Sequence, residues 1–275
     1  MPAVVAGFVT VLVGYTSSAA IVVEAARALG ATERELGSWM GALGLGMALT
    51  CIGLSLRYRT PVVTAWSTPG AAMLVTGVAG VSMHEAIGAF VVAGALAALA
   101  GFSGAFERAM AKLPAGVAAG MLAGVLLRFG LAAFSSLAVD PWLVGAMLAT
   151  WLAGRRLFAR YAVPAVLAVG IAVAAVQGTI VASGLAWRVA EPVFTWPAFS
   201  WSALVGVAIP LFLVTMASQN APGAATLRAA GYDAPISPLV GWTGVTTVAL
   251  APLGGYAFNL AAITAAISMG PEAHP

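Results

Sequence analysis

Apolar stretches long enough to cross a lipid bilayer recur along this chain from one end to the other, and few folds can accommodate them. From Val4 to Ala26 the only charged side chain is Glu24. A spanning helix needs about 20 mostly apolar residues. By that measure spans are read near 4–26, 37–56, 61–80, 85–104, 114–134, 139–154, 161–182, 200–219, 236–252 and 253–270. The chain is 61% hydrophobic and 8% charged, against about 25% charged in a soluble domain. The expected fold class is therefore an all-α polytopic membrane protein of about ten spans, a single transmembrane domain over residues 1–275 embedded in the lipid bilayer.

The net charge of +3 is spread thinly and gives no basic patch for nucleic acid. Cys51 is the one cysteine, which excludes an internal disulfide and a cysteine-based zinc site. No metal or cofactor is expected. Met1-Pro2-Ala3 carries no charge, so the first apolar stretch reads as a retained helix and not a cleaved signal. Arg57, Arg59, Arg108, Lys112, Arg155, Arg156, Arg160 and Arg228 fall on one side of the predicted topology; Arg27, Arg34 and Arg188 fall on the other. That bias places the N-terminus in the cytoplasm. Residues 183–199, with four aromatics and two prolines, suit an interfacial loop. Gly116, Gly120 and Gly124 repeat at the spacing of a close-packed helix seam.

An internal repeat is visible. TSSAAIVVEAARALG near residue 16 has a counterpart in MASQNAPGAATLRAAG near 216, and Arg27 to Gly30 align with Arg228 to Gly231. Gly37 to Gly41 align with Val240 to Gly244, and PVVTAWSTPGAAM from Pro61 aligns with PLGGYAFNLAAIT from Pro252. The copies begin at the first and eighth spans, an odd number apart, so the second copy is inverted. Inverted repeats typify secondary transporters with a site at the bilayer midplane. The first repeat covers about 4–182 (core 4–113, gate 114–182) and the second about 200–275, where it is incomplete.

The third and tenth spans are expected to be broken. Pro69 disfavours helix at Thr68, so residues 62–67 read as extended, with a half-helix from Pro69 to about Gly80 capped by Thr68. Gly254-Gly255 and Tyr256 to Phe258 read likewise, with Asn259 as the N-cap of a half-helix over 260–269. The extended pieces can pair antiparallel, which satisfies backbone groups that lipid cannot. Two half-helix N-termini at the midplane would attract an anion. Trp66, Tyr256 and Phe258 line the approach, which points to an aromatic carboxylate.

Several stretches resemble the benzoate membrane transport (BenE) family: residues 37–72, MLAGVLLRFG (121–130), VTMASQNAPG (214–223), ISPLVGWTG (236–244) and residues 258–275. The resemblance covers essentially the whole chain. It implies a proton-coupled importer of benzoate in the bacterial inner membrane. It also implies kinship with the uracil permease and sulfate/anion-exchanger fold, an inverted-repeat secondary transporter of two halves of about seven helices each. In that fold the third and tenth helices carry short strands at the midplane, and substrate sits between them and the first and eighth helices. Relatives run on for about four further helices, so the sequence ending at His274-Pro275 is expected to be C-terminally incomplete. Nucleobase relatives use glutamates on the eighth and tenth helices; here Gln219, Asn220 and Asn259 stand in those spans. A homodimer is an open option.

The candidate substrate-binding residues are Tyr15, Ser17, Ser18, Trp66, Ser67, Thr68, Gln219, Asn220, Tyr256, Phe258 and Asn259. The partners are a benzoate-like aromatic carboxylate and a proton as coupling ion. Arg128 inside the fifth span reads as snorkelling, Glu24 as an ion pair with Arg27, and His84-Glu85 as a loop face. Transport of another small anion or a nucleobase is the nearest alternative. Gly101 to Gly104 match the GxSG of intramembrane serine proteases, a chemistry that needs an embedded histidine base.

Overall fold

The computed structural model describes residues 3–78, 80–112, 127, 130–131, 133–158, 161–180 and 189–269. The glycine seam at Gly116, Gly120 and Gly124, together with Arg128, Arg160, Arg188 and His274, lies outside the described residues, as does most of the fifth expected span.

The elements in order are α1 (Ala3–Thr16), α2 (Ala19–Ala28), α3 (Glu33–Tyr58), β1 (Thr64–Trp66), α4 (Thr68–Gly77), α5 (Met83–Phe102) and α6 (Ala105–Ala111). They continue with α7 (Pro141–Leu157), α8 (Ala162–Val176), α9 (Trp201–Ala229), α10 (Ile236–Leu250), β2 (Phe258–Leu260) and α11 (Ile263–Met269). Among the described residues five helical segments are long and apolar enough to cross a membrane: Ala6–Ala28, Glu33–Tyr58, Met83–Phe102, Trp201–Ala229 and Ile236–Leu253. They correspond to the first, second, fourth, eighth and ninth expected spans. The protein is a mostly helical, multi-pass membrane protein.

Local chemistry sets the helix ends. Thr32 and Glu35 form a reciprocal capping box that starts α3, with Thr32 N–H donating to Glu35 Oε2 at 2.8 Å. Ser82 and Glu85 do the same for α5, with Ser82 N–H donating to Glu85 Oε2 at 2.9 Å. Glu85 is thus a capping residue. Glu24 is exposed, and Arg27 pairs with Glu33 at 3.2 Å instead. The expected Glu24–Arg27 pair gives way because α2 ends just beyond Arg27 and brings the α3 N-terminus within reach.

Two spans differ from their expected form. The first is interrupted at Ser17-Ser18, where a turn separates α1 from α2. The eighth does not stop at 219 but runs on to Ala229, through two π-helical segments at Leu204–Ala208 and Met216–Asn220. Each π segment ends two residues before a proline, Pro210 and Pro222. A proline ring removes one donor and collides with the preceding turn. A widened turn relieves both problems, so the helix continues where the sequence suggested a stop.

Helix α5 crosses α10 on bare backbone. A Cβ on Gly244 would lie 2.3 Å from Ala98 N, and one on Gly101 would lie 2.2 Å from Gly241 N. This is the close-packing logic of membrane helices, realised on a seam the sequence reading did not single out. Above it, Trp39 packs edge-on to Phe90 with centroids 5.6 Å apart, and Tyr256 lies against both rings.

An extended strap over residues 189–200 closes one end of this core. Val193 N–H donates to Ser38 Oγ at 2.9 Å, and Ser38 Oγ donates to Leu253 O at 2.9 Å. Thr195 N–H donates to Pro252 O at 2.7 Å, and Ala198 N–H to His84 O at 2.8 Å. Phe194, Trp196 and Phe199 of this stretch are exposed. Ser38→Ala removes two of the strap's ties and leaves an amide unpaired. A loss of about 1–3 kcal/mol in stability and faster proteolysis within residues 189–200 are expected, read by thermal melting and limited digestion in detergent.

Candidate functional site at the strand crossing

The two strands pair antiparallel, with Thr64 opposite Leu260, Ala65 opposite Asn259 and Trp66 opposite Phe258. Ala261 N–H donating to Val63 O extends the ladder by one bond. A two-stranded ladder leaves outer edges bare, and in a membrane interior every such group needs a partner. Here side chains from the surrounding helices supply them. Val62 N–H donates to Ser55 Oγ at 3.0 Å and Thr64 N–H to Cys51 Sγ at 3.2 Å, both on α3. Phe258 N–H donates to Thr247 Oγ1 on α10 at 3.0 Å, and Leu260 N–H to Asn220 Oδ1 on α9 at 2.9 Å.

The half-helices begin differently from the sequence expectation. The N-cap of α4 is Ser67, whose Oγ accepts from Gly70 N–H at 3.1 Å; Thr68 is already helical. A proline in the first turn is compatible with helix because no intrahelical donor is required there, so the break falls one residue earlier. Part of the first turn is closed to an anion: Pro69 has no N–H, Gly70 N–H is capped, and Ala71 N–H donates to Ser67 O. Asn259 is no N-cap. It is the central residue of β2, and α11 starts at Ile263, giving a described helix too short for an N-terminal site. The reason lies upstream. Gly254 at φ +93 turns the chain under Trp39, where any Cβ would strike the indole, and Ala257 takes the left-handed region at φ 43. The strand is thereby delayed. Asn259 Nδ2 donates to Ala257 O at 2.9 Å, which holds that reversal.

The eleven candidate residues separate into groups. Ser18, Tyr15 and Trp66 come together: Trp66 Nε1–H donates to Ser18 Oγ at 3.0 Å, and the Tyr15 ring stands edge-on to the indole at 5.0 Å. Tyr15 OH donates to Met40 O at 3.1 Å. Tyr256, fully buried, donates to Ser67 O at 3.5 Å. Phe258 fills the space beside Gly46, where a Cβ would lie 2.2 Å from its ring. Asn220, fully buried, spends its carbonyl on β2. Asn259 is also fully buried, and its Oδ1 has no partner among the described residues. Gln219 and Thr68 are half-buried beside the ladder, and Ser17 is exposed with its hydroxyl returned to Gly14 O.

Helices frame this crossing in pairs. Helix α1 lies on α11, with the Thr10 and Ser268 hydroxyls 2.6 Å apart, while α2 lies on α4. The first part of α9 packs on α4, where Gly70 meets Leu211, and its last part packs on α11. The turn at Ser17-Ser18 and the π segment at Met216–Asn220 thus both fall where a helix passes from one half-helix to the other. Thr50, Cys51, Ser55 and Thr247 were missed by sequence reasoning. Their signal was a line of small polar residues at roughly helical spacing on the spans next to the broken ones.

Ser103 does not form a catalytic pair. It caps the C-terminal end of α5, and His84 sits at the other end, about 28 Å away along the helix. The His84 ring is engaged by Trp196 O at 2.8 Å.

Residues 1–275 match the family model described as "Benzoate membrane transport protein". The chain is 51% identical over 274 residues to the inner membrane protein YdcO of Escherichia coli strain K12, with all of this chain and 70% of that protein aligned. It is 38% identical over 274 residues to the benzoate membrane transport protein of Acinetobacter baylyi, again with all of this chain and 70% of that protein aligned.

Proposed function

We propose that this chain, which belongs to the benzoate membrane transport family, carries a benzoate-like aromatic carboxylate together with a proton across a bacterial inner membrane. The family is one of membrane transporters and not of enzymes, and the relatives' names support both the substrate class and the membrane. The observation that carries the reading further is the β1–β2 ladder, a polar crossing held inside an apolar helical shell by side chains of three helices.

In this reading the substrate lies at the crossing, with Tyr15, Ser17, Ser18, Trp66, Ser67, Thr68, Gln219, Asn220, Tyr256, Phe258 and Asn259 as its candidate contacts. The antiparallel register supports an inverted repeat, because it sets a local two-fold axis through the Ala65–Asn259 pair. The equivalence differs in register from the sequence alignment: β1 from Thr64 corresponds to β2 from Phe258, whereas the alignment set Phe258 against Ser67. Residues of about 4–182 and about 200–275 then form the two copies, with the N-terminus cytoplasmic and a homodimer as an assembly to be tested.

Purified protein in liposomes should take up radiolabelled benzoate when the outside is more acidic. Uptake should saturate, be blocked by excess unlabelled benzoate, and be unaffected by sulfate or uracil. Inhibition by sulfate or uracil at the concentrations at which benzoate acts would replace the aromatic acid with an inorganic anion or a nucleobase.

A further inference from the structure

Side chains alternate across a strand pair, and directly paired residues share a face. Thr64 and Phe258 turn toward α3: the Thr64 and Thr50 hydroxyls are 2.6 Å apart, and the Phe258 ring lies on Gly46. Ala65 and Asn259 therefore occupy the opposite face, at the centre of the ladder. Asn259 has 0% exposure, and its orientation is fixed, because Nδ2 donates to Ala257 O. The free atom is Oδ1, an acceptor with no donor facing it among the described residues. A buried, unpaired carbonyl is costly, and what satisfies it must bring a hydrogen.

A carboxylate anion cannot do so, and the crossing is poorly equipped for one. Of the elements packed on β2, β1, α10 and the π segment at Met216–Asn220 contain no ionisable side chain. Helix α3 has Glu33, Arg34, Glu35, Arg57 and Tyr58 at its ends, and Cys51 faces Thr64. The phenols of Tyr15 and Tyr256 donate to backbone carbonyls. Among the described residues no cation meets the crossing, and in the first turn of α4 the Gly70 and Ala71 N–H groups are already engaged while Pro69 has none. Isolated charges are expensive to bury. The neutral acid supplies what is needed, an O–H donor for Oδ1.

We propose that Asn259 recognises the substrate as its neutral carboxylic acid, so that the co-transported proton crosses on the substrate and not on a protein side chain. The step balances simply. A proton from the more acidic side joins the carboxylate oxygen, the O–H donates to Asn259 Oδ1, and the acid dissociates on the other side. One proton moves per carboxylate, with no net charge carried. The inference rests on the substrate reading above and deepens it.

The test is equilibrium binding of radiolabelled benzoate to the purified full chain from about pH 5 to about pH 8, with benzamide as competitor. A carboxylic acid with a pKa of about 4.3 is only about one five-hundredth protonated at pH 7. The apparent Kd for benzoate should therefore rise about tenfold per pH unit. Benzamide, which has an N–H donor and cannot ionise, should compete with an affinity that stays level. Asn259→Leu should weaken both ligands by about tenfold or more. Benzoate affinity that ignores pH, with benzamide inert, would show that the anion binds and overturn the proposal. Benzamide affinity that falls in step with benzoate would put the titrating group in the protein and overturn it too. Binding of neither ligand at any pH would instead remove the aromatic-acid reading on which the proposal stands.

Discussion

Gly244→Val leaves little or no folded protein in detergent, while Gly53→Val melts within a degree or two of the parent. The contrast follows from what each new side chain would meet. At Gly244 the first added carbon would lie 2.3 Å from Ala98 N and 2.7 Å from Gly94 O. Both are backbone atoms of α5, and no rotamer change can clear them. Helix α5 would have to move off α10 along the seam shared with Gly94, Gly101 and Gly241. Overpacking a core costs about 1–3 kcal/mol where side chains can adjust, and more where backbone is struck. Association of helices in lipid relies on such close packing, since lipid tails are as apolar as the helices. Thr247, whose hydroxyl holds Phe258 N–H, lies three residues along the same helix, so the damage reaches β2. Gly53 is exposed on α3 with open space around it, and a surface change of that kind stays within about 0.5 kcal/mol. Thermal melting by fluorescence size exclusion reads both. Equal melting of the two variants would mean that the α5–α10 contact does not hold the fold.

Asn220→Leu should abolish benzoate binding and lower stability by about 1–3 kcal/mol, whereas Gln219→Leu should leave stability nearly unchanged. The two amides are neighbours in sequence and were grouped together as ligand contacts. The structure gives them different work. Asn220 is fully buried, and its Oδ1 accepts the outward N–H of Leu260, while Nδ2 reaches only Met216 Sδ at 3.5 Å. Leucine fills a similar volume but leaves that N–H unpaired in an apolar interior. The strand would shift to find a partner, and it carries Asn259 with it. Gln219 is half-buried on the same π segment. Hydrogen exchange at the Leu260 amide, together with benzoate binding, separates the variants. A slow Leu260 amide in Asn220→Leu would show that another group holds the strand edge.

These residues mark where the sequence was readable and where it was not. Apolar length and sparse charge give the membrane class directly, because lipid tolerates little else. The two strand-forming breaks were legible because Pro69 and Gly254-Gly255 are strong local signals. The ends of those breaks were not. Ser67 outcompeted Thr68 as cap because a proline sits comfortably in a first turn, and a left-handed Ala257 pushed β2 past the expected cap at Asn259. The break at Ser17-Ser18 carries neither proline nor glycine, so it had no local signature. Pro222 gave the opposite error, since a π segment absorbs it without ending the helix. The chemistry of Tyr256 and Phe258 suggests that they line the approach to the site. Their neighbours Trp39, Phe90 and Gly46 are far away in sequence, and only tertiary packing reveals those contacts.

The manner in which the ladder's edges are closed bears on portability. Four outward amides end on Ser55, Cys51, Thr247 and Asn220, contributed by three helices, of which α3 is far from α9 and α10 in the chain. The strand pair is therefore not a transplantable cassette. Segments 60–78 and 252–269 grafted into another helical bundle would keep their mutual pairing and arrive with naked flanks. What makes the crossing compatible with a lipid environment is distributed over the host, and any redesign of this site has to carry those four side chains along with the strands they serve.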